Sequence, residues 1–213
     1  MWVVVGMIAN NGDSTLIIGI TGITGSGTSS VAKILEACGG FVISADKLVH
    51  GLMLQGQPAY SEIVEIFGDG VLGADDEIDR RALGGMVFGN KERLTQLENV
   101  LHPMVIEKTK KLLSSHMHYS FAVIDAPLLI ESGMNKLCFS TWLITAPDSL
   151  RMERIQARDK LTHEAAEHRI RSRPGDDVLR PDADIIIENA GGLSTLEKKA
   201  HDALASTMQK WRQ

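Results

Sequence analysis

The sequence predicts an α/β fold, a parallel sheet flanked by helices, on three observations. Short apolar runs alternate along the chain with stretches of helical periodicity. Runs such as Phe121–Ile124 are continuous rather than alternating, as strands covered on both faces require. The run Leu16–Ile20 breaks into a turn rich in Gly, Ser and Thr that opens a helix.

That turn is the most informative stretch. Gly22-x-x-x-x-Gly27-Thr28-Ser29 has the spacing of a phosphate-binding loop, and strand, turn and helix supply its context. Glycines let successive backbone N–H groups curl around an anion, and the helix N-terminus adds partial positive charge. Ser29 is placed to put its hydroxyl on Mg²⁺. Thr28 stands where the motif has lysine; it can donate a hydrogen bond but carries no charge. A Gly-rich turn without a ligand is the alternative reading. In the helix, Val31, Ile34, Leu35 and Cys38 share one apolar face, which assigns Cys38 to the core, and Gly39-Gly40 provides the stop.

The next strand, Phe41–Ser44, leads to Asp46. Ligands of open α/β sheets gather at the carboxyl ends of strands, so Asp46 is a catalytic candidate; a solvated carboxylate or an N-cap is the alternative. From 47 to 118 the pattern is helical. Tyr60, Ile63, Val64 and Phe67 form one face between Pro58 and Gly68, and Leu94 to Leu112 make long stretches bent around Pro103. The Phe121–Ile124 strand ends at Asp125, either a Mg²⁺-water ligand or a cap. Thr141–Ile144 is a further strand, followed by a helix over Ser149–Arg158.

Basic residues crowd from Arg151 to Arg180. Arg151, Arg154 and Arg158 share a helix face, which suits either a solvated helix pair or a lid bringing guanidinium groups onto a transferring phosphate. Asp184–Glu188 is the last strand, and Ser194 with Glu197 forms a capping box for the final helix.

Composition excludes several classes. The net charge of −5 gives no general electrostatic case for nucleic-acid binding. No apolar run approaches the roughly 18 residues of a membrane span. Cys38 and Cys138 make no metal spacing and point to a reducing cytosol. His116 and His118 lie in a polar stretch and are expected to be exposed. Residues 1–15 form an extension ahead of the first core strand: an edge strand, a disordered tail or a mis-assigned start.

Several segments together resemble the dephospho-CoA kinase family. They are Gly19-Ile20-Thr21-Gly22 running into Gly25-Ser26-Gly27, Ala45-Asp46, Arg80-Arg81-Ala82-Leu83, Leu101-His102-Pro103, Asp125–Glu131, Arg158-Asp159 and Ile187-Glu188-Asn189. The resemblance implies a P-loop nucleoside-triphosphate-hydrolase fold over residues 16–213, a single kinase domain. Within it lie a helical substrate-binding region at 47–118 and a lid at 150–180. It implies ATP-dependent phosphorylation of the ribose 3′-hydroxyl of dephospho-CoA, the last step of coenzyme A synthesis. Gly22, Gly25, Ser26, Gly27, Thr28, Ser29 and Ser30 would form the ATP phosphate cradle, and Ser29 would hold Mg²⁺. Asp46 would take the hydroxyl proton, Arg154 and Arg158 would face the phosphates, and Asn189 would lie near the adenine. The expected enzyme is cytoplasmic, a monomer or weak homo-oligomer, with no nucleic-acid or membrane partner.

The chain departs from the family pattern at Thr28 for the loop lysine, Ser44 for the first aspartate of Asp-x-Asp, and His50 for a frequent arginine. The loss at Thr28 keeps two alternatives open: a weakly active or non-catalytic nucleotide-binding paralogue, and a kinase for another small acceptor. Of the cations that could replace the lysine, Lys33 lies roughly 140° further round its helix than Thr28. The lid arginines are better candidates.

Overall fold

The computed structural model describes residues 9–10, 13–171 and 175–213. The first eight residues, Arg173 and the side chains of Arg169 and Arg171 lie outside the described set. Two short strands, β1 (Ala9–Asn10) and β2 (Asp13–Ser14), pair antiparallel with each other. The main sheet is formed by β3 (Leu16–Thr21), β4 (Phe41–Ser44), β5 (Phe121–Asp125), β6 (Ser140–Thr145) and β7 (Ile185–Glu188), in the order β4-β5-β3-β6-β7. The expected parallel sheet is present. Leu16 is in register with Phe121, Ile18 with Ser140 and Trp142 with Ile185, all in parallel pairs.

Strand β3 is central and buried along its whole length, which is why its sequence is a continuous apolar run. On one face it packs with α1 (Thr28–Ala37) and the final helix, α9 (Leu193–Trp211). Leu16, Ile18 and Ile20 meet Val31, Ile34 and Leu35 from α1, and Leu196, Ala200 and Leu204 from α9. Between β4 and β5 run α2 (Ala45–Leu52), α3 (Pro58–Phe67), α4 (Arg80–Val87) and α5 (Lys91–Ser115). After β6 come α6 (Asp148–Asp159), α7 (His163–Arg171) and α8 (Asp176–Leu179). The residues divide into two compact units. One holds the described residues up to Ile43 and those from Leu113 onward; the other is the helical stretch Ser44–Leu112. No described helix is long and apolar enough to cross a membrane.

Four local readings change. Cys38 is exposed rather than buried, because α1 has already ended: Gly39 adopts φ +88° and the Gly39 and Gly40 N–H groups bond back to Glu36 and Leu35. Gly192, not Ser194, caps α9, and no side chain completes the cap. Pro103 lies inside one helix, α5. His116 is half-buried, its ring stacked on Phe41 at 3.9 Å, while His118 is exposed.

Cys138 is buried beside Gly19, where a side chain on the glycine would stand 2.7 Å from its sulfur. Burial, with a smaller contribution from the Asp184 charge, pushes its thiol up to about 12. A thiol-reactive dye should therefore label Cys38 alone in the native protein and both cysteines after denaturation. Equal native labelling of the two, read by peptide mass, would contradict this packing.

Candidate active site

The loop Gly22–Ser30 leaves the carboxyl end of the central strand β3 and enters α1. Gly25 and Gly27 have φ of +86° and +98°, left-handed conformations that glycine adopts without a Cβ clash. Gly27 is the N-cap of α1, with no side-chain capping bond and no acidic residue in the first turn. The positive end of the helix is thus left to whatever the loop holds. Thr28 is the first residue of α1, Ser29 is exposed, and Ser30 N–H returns to the Gly27 carbonyl at 3.0 Å.

Two further features fit an anion. Ser26 is 1 % exposed, yet its Oγ has no hydrogen-bond partner among the described residues. A buried hydroxyl without a partner is costly unless a ligand supplies one. A Cβ on Gly22 would collide with the Ile144 carbonyl and come 2.6 Å from Ser26 Oγ, so only glycine leaves that turn open. For Mg²⁺ the chain offers the Ser29 hydroxyl and the Asp125 carboxylate at the end of β5, in register with Ile20. Few protein ligands suit an ion that keeps waters and substrate phosphate oxygens in its shell. Among the described residues no group of three or more carboxylate, His or Cys side chains could hold a metal by itself.

The loop carbonyls are also occupied. Arg151, buried in α6, donates from Nε to the Thr24 carbonyl at 3.1 Å and pairs with Asp148 at 2.7 Å. Arg154, one turn on, donates to the carbonyls of Gly25 at 3.2 Å and Ser26 at 3.4 Å. Its other terminal nitrogen donates to the main-chain and side-chain oxygens of Asn189, at 3.2 and 3.3 Å. Asn189, buried just beyond β7, donates its amide to the Ser26 carbonyl at 2.8 Å. Asp176 lies within the field of Arg151. Burial raises its carboxyl above the ordinary range, opposed first by Arg151 and then by Arg180.

Of the residues singled out in the sequence, the fold brings together Gly22 to Ser30, Arg154 and Asn189. The Arg154 terminal N–H groups are taken by protein acceptors, so contact with a phosphate would require that side chain to leave the loop. Arg158 is exposed and forks onto its neighbour Asp159, with two bonds of 2.8 Å. Asp46 is exposed in the first turn of α2, in the helical unit. It is not the cap: Ser44 is, accepting from Lys47 N–H, so the N-cap alternative for Asp46 falls away. Sequence reasoning missed the grip of Arg151 on Thr24 and the orphaned Ser26 hydroxyl. The i, i+3 spacing of Arg151 and Arg154 gave the shared face but not its target.

The family model described as dephospho-CoA kinase matches residues 16–195. The dephospho-CoA kinase of Bacillus licheniformis is 38% identical over 194 residues, which cover 89% of this chain and 96% of the relative. A solved protein of Thermus thermophilus superposes with a TM-score of 0.78 at 34% identity, covering 90% of this chain and 97% of that one. The dephospho-CoA kinase of Campylobacter jejuni gives a TM-score of 0.59 at 27% identity, covering 91% and 97%. With a glycine-rich loop at the carboxyl end of its central strand and these relatives along nearly its whole length, the chain belongs to the dephospho-CoA kinase family.

Proposed function

We propose that this chain transfers the γ-phosphoryl group of ATP to the ribose 3′-hydroxyl of dephospho-CoA, giving CoA and ADP. Membership of a kinase family makes it a phosphotransferase with ATP as co-substrate. The observation that carries the reading is the loop: two left-handed glycines, an uncapped helix end and a buried hydroxyl without a partner converge there. Backbone N–H groups of the loop hold the triphosphate, and Ser29 and Asp125 would hold Mg²⁺. When bound, the ion neutralises charge on the β- and γ-phosphates.

Asp46 orients the acceptor hydroxyl and takes its proton, and Arg158 is the lid cation that turns to the transferring group. Asn189, beyond β7, lies near the adenine. In the helical unit a cavity of about 440 Å³ is lined by Gly73, Asp75, Glu77, Ile78, Asp79, Arg80 and Arg81. Asp79 caps α4 by accepting from Arg81 N–H at 2.8 Å. Arg80 and Arg81 in that lining suit an acceptor that carries phosphate. The enzyme works in the cytoplasm as a monomer or weak homo-oligomer.

The test is ADP release with and without dephospho-CoA, with the product identified by chromatography. Release of ADP that requires dephospho-CoA and yields CoA is expected. Binding of both ligands without release would mean a non-catalytic paralogue, and release with another acceptor alone would mean a different substrate. Thr28→Lys is expected to raise kcat about tenfold, because a mobile cation follows charge onto the β–γ bridge. An unchanged kcat would show that the missing lysine is already replaced on the phosphate side.

A further inference from the structure

In a trans peptide the carbonyl of one residue and the N–H of the next point in opposite directions. The described chain has no cis peptide bond. Each carbonyl that is held therefore aims one N–H. Arg151 on the Thr24 carbonyl aims the Gly25 N–H to the far side of the loop. Arg154 and Asn189, both on the Ser26 carbonyl, aim the Gly27 N–H there too. The Ser26 N–H is used inside the loop, on the Ile23 carbonyl at 3.0 Å. Two of the N–H groups that face an anion, those of Gly25 and Gly27, are thus set by side chains on the opposite face.

The two arginines differ in charge balance. Arg151 is paired with Asp148 and feels Asp176. Arg154 meets only neutral acceptors, the carbonyls of Gly25, Ser26 and Asn189 and an amide oxygen, and pairs with no carboxylate among the described residues. A half-buried guanidinium left uncompensated projects its field through the loop. This is the loop in which Thr28 has taken the place of a cation.

We propose that Arg154 is a positioning residue, which fixes the Gly25–Ser26–Gly27 turn from behind and lends the phosphate loop positive charge that Thr28 does not carry. The inference rests on the reading of this loop as the ATP site. It differs from a contact with the transferring phosphate in what it predicts. A brace that acts on bound triphosphate in ground and transition states alike lowers the ATP Kd and KM and leaves kcat nearly alone, whereas a contact made only in the transition state raises kcat.

Arg154→Met and Arg154→Lys separate these. Two readouts are needed: amide hydrogen exchange of Ser26, whose N–H is bonded to the Ile23 carbonyl and whose peptide carbonyl, on Gly25, is held by Arg154, in the ligand-free protein, and Kd for MgATP by calorimetry beside steady-state kinetics. In Arg154→Met the Ser26 amide should exchange about tenfold faster and the Kd should rise about tenfold. Its kcat at saturating ATP should stay within about threefold. Arg154→Lys keeps the charge but cannot bridge two carbonyls and Asn189. It should recover part of the Kd while its Ser26 amide still exchanges fast. Unchanged exchange and Kd in both variants, or a fall in kcat alone, would overturn the proposal. If Arg154→Met does not fold, the Lys variant decides: loop protection equal to wild type would sink the brace. Exchange is read without substrates. Failure of wild type to turn over dephospho-CoA would therefore count against the proposed function and not against the brace.

Discussion

Asp46→Asn should lower kcat by about 10²–10⁴, the range that general-base catalysis contributes, with the KM for ATP little changed. The side chain keeps its size and its place in the first turn of α2, and Ser44 still caps the helix. What is lost structurally is one negative charge at a helix N-terminus, worth about 0.3–1 kcal/mol of stability. A melting curve close to wild type beside a collapsed kcat therefore assigns the effect to chemistry. An Asn variant with near-normal turnover would remove Asp46 from the mechanism.

The second large effect is expected at Gly22. An added Cβ strikes the Ile144 carbonyl and crowds Ser26 Oγ at 2.6 Å and Thr28 Cγ2 at 3.1 Å. One of these is backbone in the adjacent strand β6 and cannot swing aside. Gly22→Ala should cost about 1–3 kcal/mol, the usual range for overpacking, and lower Tm by about 2–4 °C for each kcal/mol in a chain of this size. Nucleotide binding should be lost even where the fold survives, since the turn can no longer close around an anion. The contrast is Gly51→Ala in α2, where nothing lies within 4 Å of the new methyl. There the substitution should raise stability by about 0.5–1 kcal/mol. If both variants melt alike, close approach at Gly22 is not what restricts that position.

These expectations rest partly on what the chain shows without its fold. The unit from Leu16 to Ala37 was legible because its signals are local: an apolar run, a glycine spacing and an i, i+3, i+4 face all fall within one stretch. The same locality explains the errors. Helical periodicity carried Cys38 onto the buried face, but the turn at Gly39 ends α1 first. The Ser194 and Glu197 spacing looked like a cap, yet the cap of α9 is Gly192, two residues earlier. The arginines of α6 were visible as a face. Their partners were not, because a backbone carbonyl has no residue type and leaves no trace in composition or spacing. Only the fold, by setting α6 and the end of β7 against the loop, reveals that Arg154 faces carbonyls rather than carboxylates.

The central position of β3 also bears on how the molecule comes into being. Leu16 pairs with Phe121 and Ile18 with Ser140, so the first core strand to leave the ribosome waits for partners made much later. Closing such long loops must precede any reward from pairing, which slows the search. The Ser44–Leu112 segment emerges in the interval, and its helices are built from near neighbours in sequence. The loop at the end of β3, tied to Arg154 and Asn189, is then expected to be among the last parts to take shape. Regain of nucleotide affinity during refolding should accordingly trail the regain of helical signal.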